Sequence, residues 1–154
     1  MVTLTKSTKP QREINVQREW HMVDMKDQVL GRIAGKIAAY LQGKHKRNYV
    51  PYLDMGDYVV IINARKTLLT GKKLQSKYYT RYSGYPGGLK KISVSNLMEN
   101  KPEEVIRHAI SGMLPKNKLR SRRLKRLYVF SDERHPYGDK LKAQNSNRKT
   151  KSQN

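Results

Sequence analysis

Residues 30–63 read LGRIAGKIAAYLQGKHKRNYVPYLDMGDYVVIIN, and the fold class turns on this stretch. Leu30, Ile33, Ala34, Ile37, Ala38 and Leu41 recur at three- and four-residue steps, one face of a helix, and Gly43 is suited to stop it. Tyr58–Ile62 follows as a continuous, largely β-branched apolar run, the pattern of a strand buried on both faces, and Asn63 closes it. On the N-terminal side, Trp20–Val23 is a short apolar run suited to a strand and ended by Asp24. On the C-terminal side, Thr67–Leu69 is expected to form a further short strand before the Thr70-Gly71 turn, and Lys77–Tyr82 an extended edge segment. Pro102 opens a second helix, with Glu103 and Glu104 at the positive end of its dipole and Val105, Ile106, Ala109, Ile110 and Met113 as its stripe. A very basic helix at Asn117–Arg126 leads into a last strand, Leu127–Phe130. Strand, helix, strand, helix, strand is an α/β order, and it predicts a small, mainly parallel sheet with helices over it.

A length of 154 residues suits one domain, and a hydrophobic share of 36%, below the usual figure of about 45–50%, limits it to a modest core. The absence of cysteine excludes disulfide scaffolds, thiolate zinc sites and cysteine nucleophiles. Apolar runs such as Tyr58–Ile62 are too short to cross a bilayer. The first twenty residues lack the apolar run of a signal peptide, and Glu13 and Glu19 interrupt any transit-peptide pattern. A bacterial cytoplasm is the expected setting, an organelle the alternative.

Charge says more. There are 33 Lys and Arg against 12 Asp and Glu, a net charge of +21. Residues 41–50, 71–91, 111–130 and 141–154 hold three, six, seven and four cations and not one acid. A merely solvated surface mixes its signs; this segregation is the footprint of a polyanion partner.

Enzymatic chemistry finds little purchase. His21, His45, His108 and His135 show no metal-ligand spacing. Asp54 and Asp57 straddle a Met-Gly turn and are read as turn-stabilising carboxylates, each worth about 1 kcal/mol through local hydrogen bonds. Thr70-Gly71-Lys72 resembles the end of a phosphate loop, but Lys66 stands where its first glycine belongs. No cofactor, metal or catalytic residue is expected.

Binding chemistry is plainer. In Lys72–Lys91, the cations Lys72, Lys73, Lys77, Arg81, Lys90 and Lys91 interleave with tyrosines, of which Tyr79, Tyr82 and Tyr85 are the candidates for stacking on bases. Ser83, Gly84, Gly87 and Gly88 make a turn through which backbone can approach phosphate closely. In Gly112–Leu127, the candidates are Lys116, Asn117, Lys118, Arg120, Arg122, Arg123 and Arg126, opposite Leu119, Leu124 and Leu127. Three leucines without Trp or Phe argue against a membrane-surface helix. Lys44, His45, Lys46 and Arg47 form a third patch beyond the first helix.

LGRIAGKIAAYLQGKHK, DMGDYVVIINARK, LTGKK, SGYPGGLK and GMLPKNKL, in this order, closely resemble the ribosomal protein L-thirteen family of the large subunit, from Trp20 to Tyr137. Tyr82 and Arg120 depart from that family's usual histidine and glycine, and His135-Pro136-Tyr137 ends in tyrosine where the family has a second histidine. The resemblance implies a three-layer α/β/α fold with a four-stranded, mostly parallel sheet. It implies partners in large-subunit rRNA and neighbouring ribosomal proteins, a part in early assembly, and no catalysis. Some members also bind their own messenger RNA. On this reading residues 19–138 form a single rRNA-binding domain, 1–18 an extended polar arm and 139–154 a basic, disordered tail. Neither a membrane, a small-molecule substrate nor a second copy of the chain is an expected partner. The rival readings are an RNA-acting enzyme using Asp54 or Asp57, and a nucleoid-type DNA compactor.

Overall fold

The computed structural model describes residues 16–141. Its elements are β1 (Trp20–Asp24), α1 (Leu30–Gln42), β2 (Tyr58–Ile62), a 3-10 turn (Ala64–Lys66), α2 (Lys73–Ser76), β3 (Tyr78–Tyr82), β4 (Leu89–Ser93), α3 (Val94–Asn100), α4 (Pro102–Met113), α5 (Leu119–Leu124) and β5 (Leu127–Val129). The fold is α/β, as the order of elements predicts.

β2 lies at the centre of a parallel sheet ordered β1-β2-β5, with Trp20 opposite Tyr58 and Val60 opposite Tyr128. Its β-branched run is buried from Val59 to Ile62, which is why alternation is absent from its sequence. Val59, Ile61, Leu127 and Val129 share the core with Ala34, Ile37, Ala38 and Leu41 of α1 and Val105, Ile106 and Ile110 of α4. Each of the larger side chains is worth roughly 1.5–3 kcal/mol there. α1 ends at Gly43, whose φ of +81° lets its N–H reach the carbonyls of Ala39 and Tyr40. A side chain there would also strike Met55, whose carbonyl oxygen lies 2.5 Å from where a Cβ would fall.

The period-two alternation puts Trp20, Tyr58 and Tyr128 on the other face of the sheet. Trp20 stacks on Tyr58 at 4.4 Å and on Tyr137 at 5.2 Å, and Lys140 sits 5.0 Å over the Trp20 ring. An aromatic layer and a helical turn at 138–141 therefore lie over this face.

Within the α/β class some details differ from expectation. Among the described residues the parallel sheet has three strands where the resemblance implies four. The strand expected at Thr67–Leu69 reduces to an isolated parallel bridge between Leu68 and Val29, because Asn63 (φ 58°) and the 3-10 turn swing the chain aside. The Lys77–Tyr82 segment is one arm of an antiparallel hairpin, β3 with β4, and α3 follows on an N-cap from Ser93 Oγ to the Asn96 N–H. Residues 1–15 of the arm and 142–154 of the tail lie outside the described residues, while the helical turn at 138–141 opens the stretch read as disordered.

Candidate nucleic-acid interface

The loop 54–57, DMGD, is the fold's internal anchor rather than a local turn. Asp57 is fully buried. Its Oδ2 lies 3.0 Å from His21 Nε2 and 2.9 Å from His45 Nε2; its Oδ1 accepts from the Glu19 N–H at 3.1 Å and pairs with the Lys46 ammonium. Burial pushes the carboxyl's pKa up, but the bonds from His21, Lys46 and Glu19 outweigh it and hold it below its ordinary value. Asp54, equally interior, accepts both Nη atoms of Arg126 at 2.6 and 2.5 Å, with Arg123 Nε 3.8 Å away. The Asx-turn reading of these two carboxylates is thus corrected: their partners are cations up to 72 residues distant.

Around this anchor the predicted basic residues sort into two groups. Arg123 and Arg126 are buried at 1% and 6% exposure, so they are not phosphate-facing, and the assignment of both to the RNA surface is corrected. Arg120 turns back to donate to Ser111 O and Oγ, both at 2.7 Å. Lys46 turns inward as well, donating to Asp57 and to the carbonyls of Met55 and Gln17. Lys44, Arg47, Lys116, Asn117, Lys118 and Arg122 remain exposed. So does Lys125, which sequence reasoning left off the candidate set although it lies seven residues beyond Lys118, on the same helix face.

The hairpin keeps all its cations, Lys72, Lys73, Lys77, Arg81, Lys90 and Lys91, in solvent. Cross-strand pairing gives it two faces: Tyr78, Thr80 and Tyr82 opposite Ser93, Lys91 and Leu89, and Tyr79 and Arg81 opposite Ile92 and Lys90. Tyr79 packs on the core and stacks on His108 at 4.8 Å, so it is a foot of the hairpin rather than a free ring, and burial pushes its phenol pKa up. Tyr82 and Tyr85 are 63% and 75% exposed, open to stacking, and Tyr78, also missed, is 56% exposed. Ser83 and Gly88 close the turn by a backbone bond, with Gly84 and Gly87 at positive φ.

His21, His45 and Asp57 have atoms within 4.8 Å of one another, a metal-like composition. The Lys46 ammonium on the same carboxylate supplies the positive charge that a divalent ion would bring, so the cluster reads as an ion-pair network.

The family model for ribosomal protein L13 matches residues 18–136. "Large ribosomal subunit protein uL13" of Clostridioides difficile (strain 630) is 55% identical over 80% of this chain and 86% of its own length. The proteins of the same name from Caldanaerobacter subterraneus subsp. tengcongensis and Thermobifida fusca (strain YX) are 54% and 50% identical over 80% of this chain, covering 86% and 83% of theirs.

Proposed function

The chain belongs to the ribosomal protein L13 family, and from that premise we propose that its exposed basic loops bind large-subunit rRNA and support early assembly of the subunit. Its role is structural: it is a large-subunit ribosomal protein and not an enzyme, and in bacteria its place is the cytoplasmic ribosome. The observation that carries the RNA reading is the sorting of charge. The buried carboxylates Asp54 and Asp57 are engaged by inward-turned cations, while the hairpin and the outer face of α5 present cations from segments that contain no acid. Such a surface gains from releasing the counterions of a phosphate backbone. Tyr82 and Tyr85 add rings for unpaired bases. Residues 19–138 act as the rRNA-binding unit and 1–18 and 139–154 as its extensions, with one copy seated among neighbouring ribosomal proteins.

A sucrose gradient of lysate, blotted for this protein, tests the reading. Stoichiometric co-sedimentation with large subunits through a high-salt wash supports it. A mostly free pool points to an RNA-acting enzyme, and co-sedimentation with duplex DNA to a compactor; either would overturn it.

A further inference from the structure

α5 and its two ends carry two sets of cations, one exposed and one buried. Lys118, Arg122 and Lys125 fall at four- and three-residue steps, and all three are exposed. Arg123, on another side of α5, and Arg126, in the turn between α5 and β5, are buried, and both converge on Asp54. Asp54 is in turn fixed to the frame. Arg18 donates to its backbone carbonyl at 3.2 Å. Two residues on, Gly56 is pinched so closely that a Cβ would fall 1.8 Å from the Leu41 carbonyl oxygen and 2.9 Å from Arg126 Nη2. The loop that carries Asp54 is thus packed against the end of α1, and the carboxylate grips the turn between α5 and β5 by a two-point fork.

We propose that Asp54 is a positioning residue for RNA binding: its bidentate hold on Arg126, in the turn where α5 ends, together with its pairing to Arg123 within the helix, sets the rotation of α5 and aims Lys118, Arg122 and Lys125 at one phosphate track. The inference rests on the rRNA-binding reading above. At about 100° per residue the three cations fall within about 60° of one another, so a rotation of this short helix turns all of them away from one phosphate track together.

The sign of the effect separates positioning from charge. Asp54 is an anion in a cationic protein, so Asp54→Asn makes the chain more positive; if charge alone mattered, RNA would bind more tightly. Positioning requires the opposite. Arg126→Lys leaves net charge unchanged and replaces the planar fork with a single point donor.

The test is binding of the full chain to protein-stripped large-subunit rRNA across a KCl series. It compares wild type, Asp54→Asn, Arg126→Lys and the double variant Lys118→Gln/Arg122→Gln, with folding monitored by Trp20 fluorescence. The double variant should lower the slope of log affinity against log salt by about 1.4–1.8, two phosphates at roughly 0.7–0.9 each. Asp54→Asn and Arg126→Lys should lower it comparably and weaken binding about tenfold or more, and adding the double variant to Arg126→Lys should change little further. Arg126→Lys keeps the test decisive where Asp54→Asn fails to fold. Wild-type slope in a folded Arg126→Lys, or tighter binding by Asp54→Asn, overturns the positioning role while leaving the RNA interface standing. An unchanged slope in the double variant removes α5 from the interface, and the inference goes with it.

Discussion

At Asp57 three opposing effects meet in one carboxylate. Desolvation favours the neutral acid, while the His21 and Lys46 bonds and the Glu19 N–H favour the anion and prevail, so the folded-state pKa lies below the reference of 3.8. The linkage then has a definite sign. A depressed pKa contributes stability that is present above about pH 4 and is lost as pH falls through the folded value. Asp57→Asn should therefore unfold at lower urea at pH 7, by about 2–4 kcal/mol, because it leaves the Lys46 ammonium half-buried without its counter-charge. Its stability should also change less than wild type's between pH 5 and about pH 2. Equal acid sensitivity of the two proteins, read by Trp20 fluorescence, would assign acid unfolding to other groups. The turn reading allows about 1 kcal/mol for each aspartate; a larger loss is expected at both, because neither side chain serves its own turn. Gly56 makes the same point about packing. With the Leu41 carbonyl oxygen 1.8 Å from its would-be Cβ, Gly56→Ala must displace backbone at the end of α1. A loss of about 3 kcal/mol or more is expected, and a melting temperature within a degree of wild type would show that the loop yields freely.

The elements divide by what local pattern can express. α1, α4, β1 and β2 were legible in the sequence because their periodicities, Pro102 and Gly43 are local signals, and the structure places them within a residue or two of expectation. β4 and α3 were not, since Leu89–Ser93 becomes a strand only by pairing with β3, and the Ser93 cap went unread. α5 is the sharper case. From sequence the seven cations of residues 112–126 imply a segment that repels itself and orders when phosphate arrives. In the structure Arg120, Arg123 and Arg126 are tied to Ser111 and Asp54, and the outer cations face solvent. A pairing across 72 residues leaves no mark in local spacing. The hairpin, by contrast, keeps its cations and the rings of Tyr82 and Tyr85 in solvent, as its sequence suggests, while Tyr79 packs on the core. Replacing Lys72, Lys73, Lys90 and Lys91 with Gln should weaken rRNA binding and flatten its salt dependence by roughly 0.7–0.9 for each phosphate that these lysines neutralise. Folding should be unaffected, as all four are exposed. A salt slope equal to wild type would mean that the hairpin does not meet the backbone.

For the molecule as a whole, a net charge of +21 is a liability until RNA arrives. A compact domain of this length has a radius of gyration near 15 Å. At about 0.01 M salt the Debye length is near 30 Å, so almost every cation feels every other; at about 0.1 M it is near 10 Å, and only neighbours interact. The ion pairs that hold the fold, at Asp54 and Asp57, are buried and screened far less than the surface. The exposed pair Lys101–Glu104, 3.7 Å apart, is worth too little to reverse the trend. Salt should thus relieve repulsion without dissolving the anchors. The melting temperature of the RNA-free protein is expected to rise by several degrees between about 0.01 and 0.1 M KCl, and to rise further when a short polyanion is added at the lower salt. The two responses should not add, because both act on the same unpaired cations of the hairpin and the outer face of α5. A melting temperature that falls with KCl would show that attraction, not repulsion, dominates the free surface. It would also remove the thermodynamic reason for this chain to seek RNA.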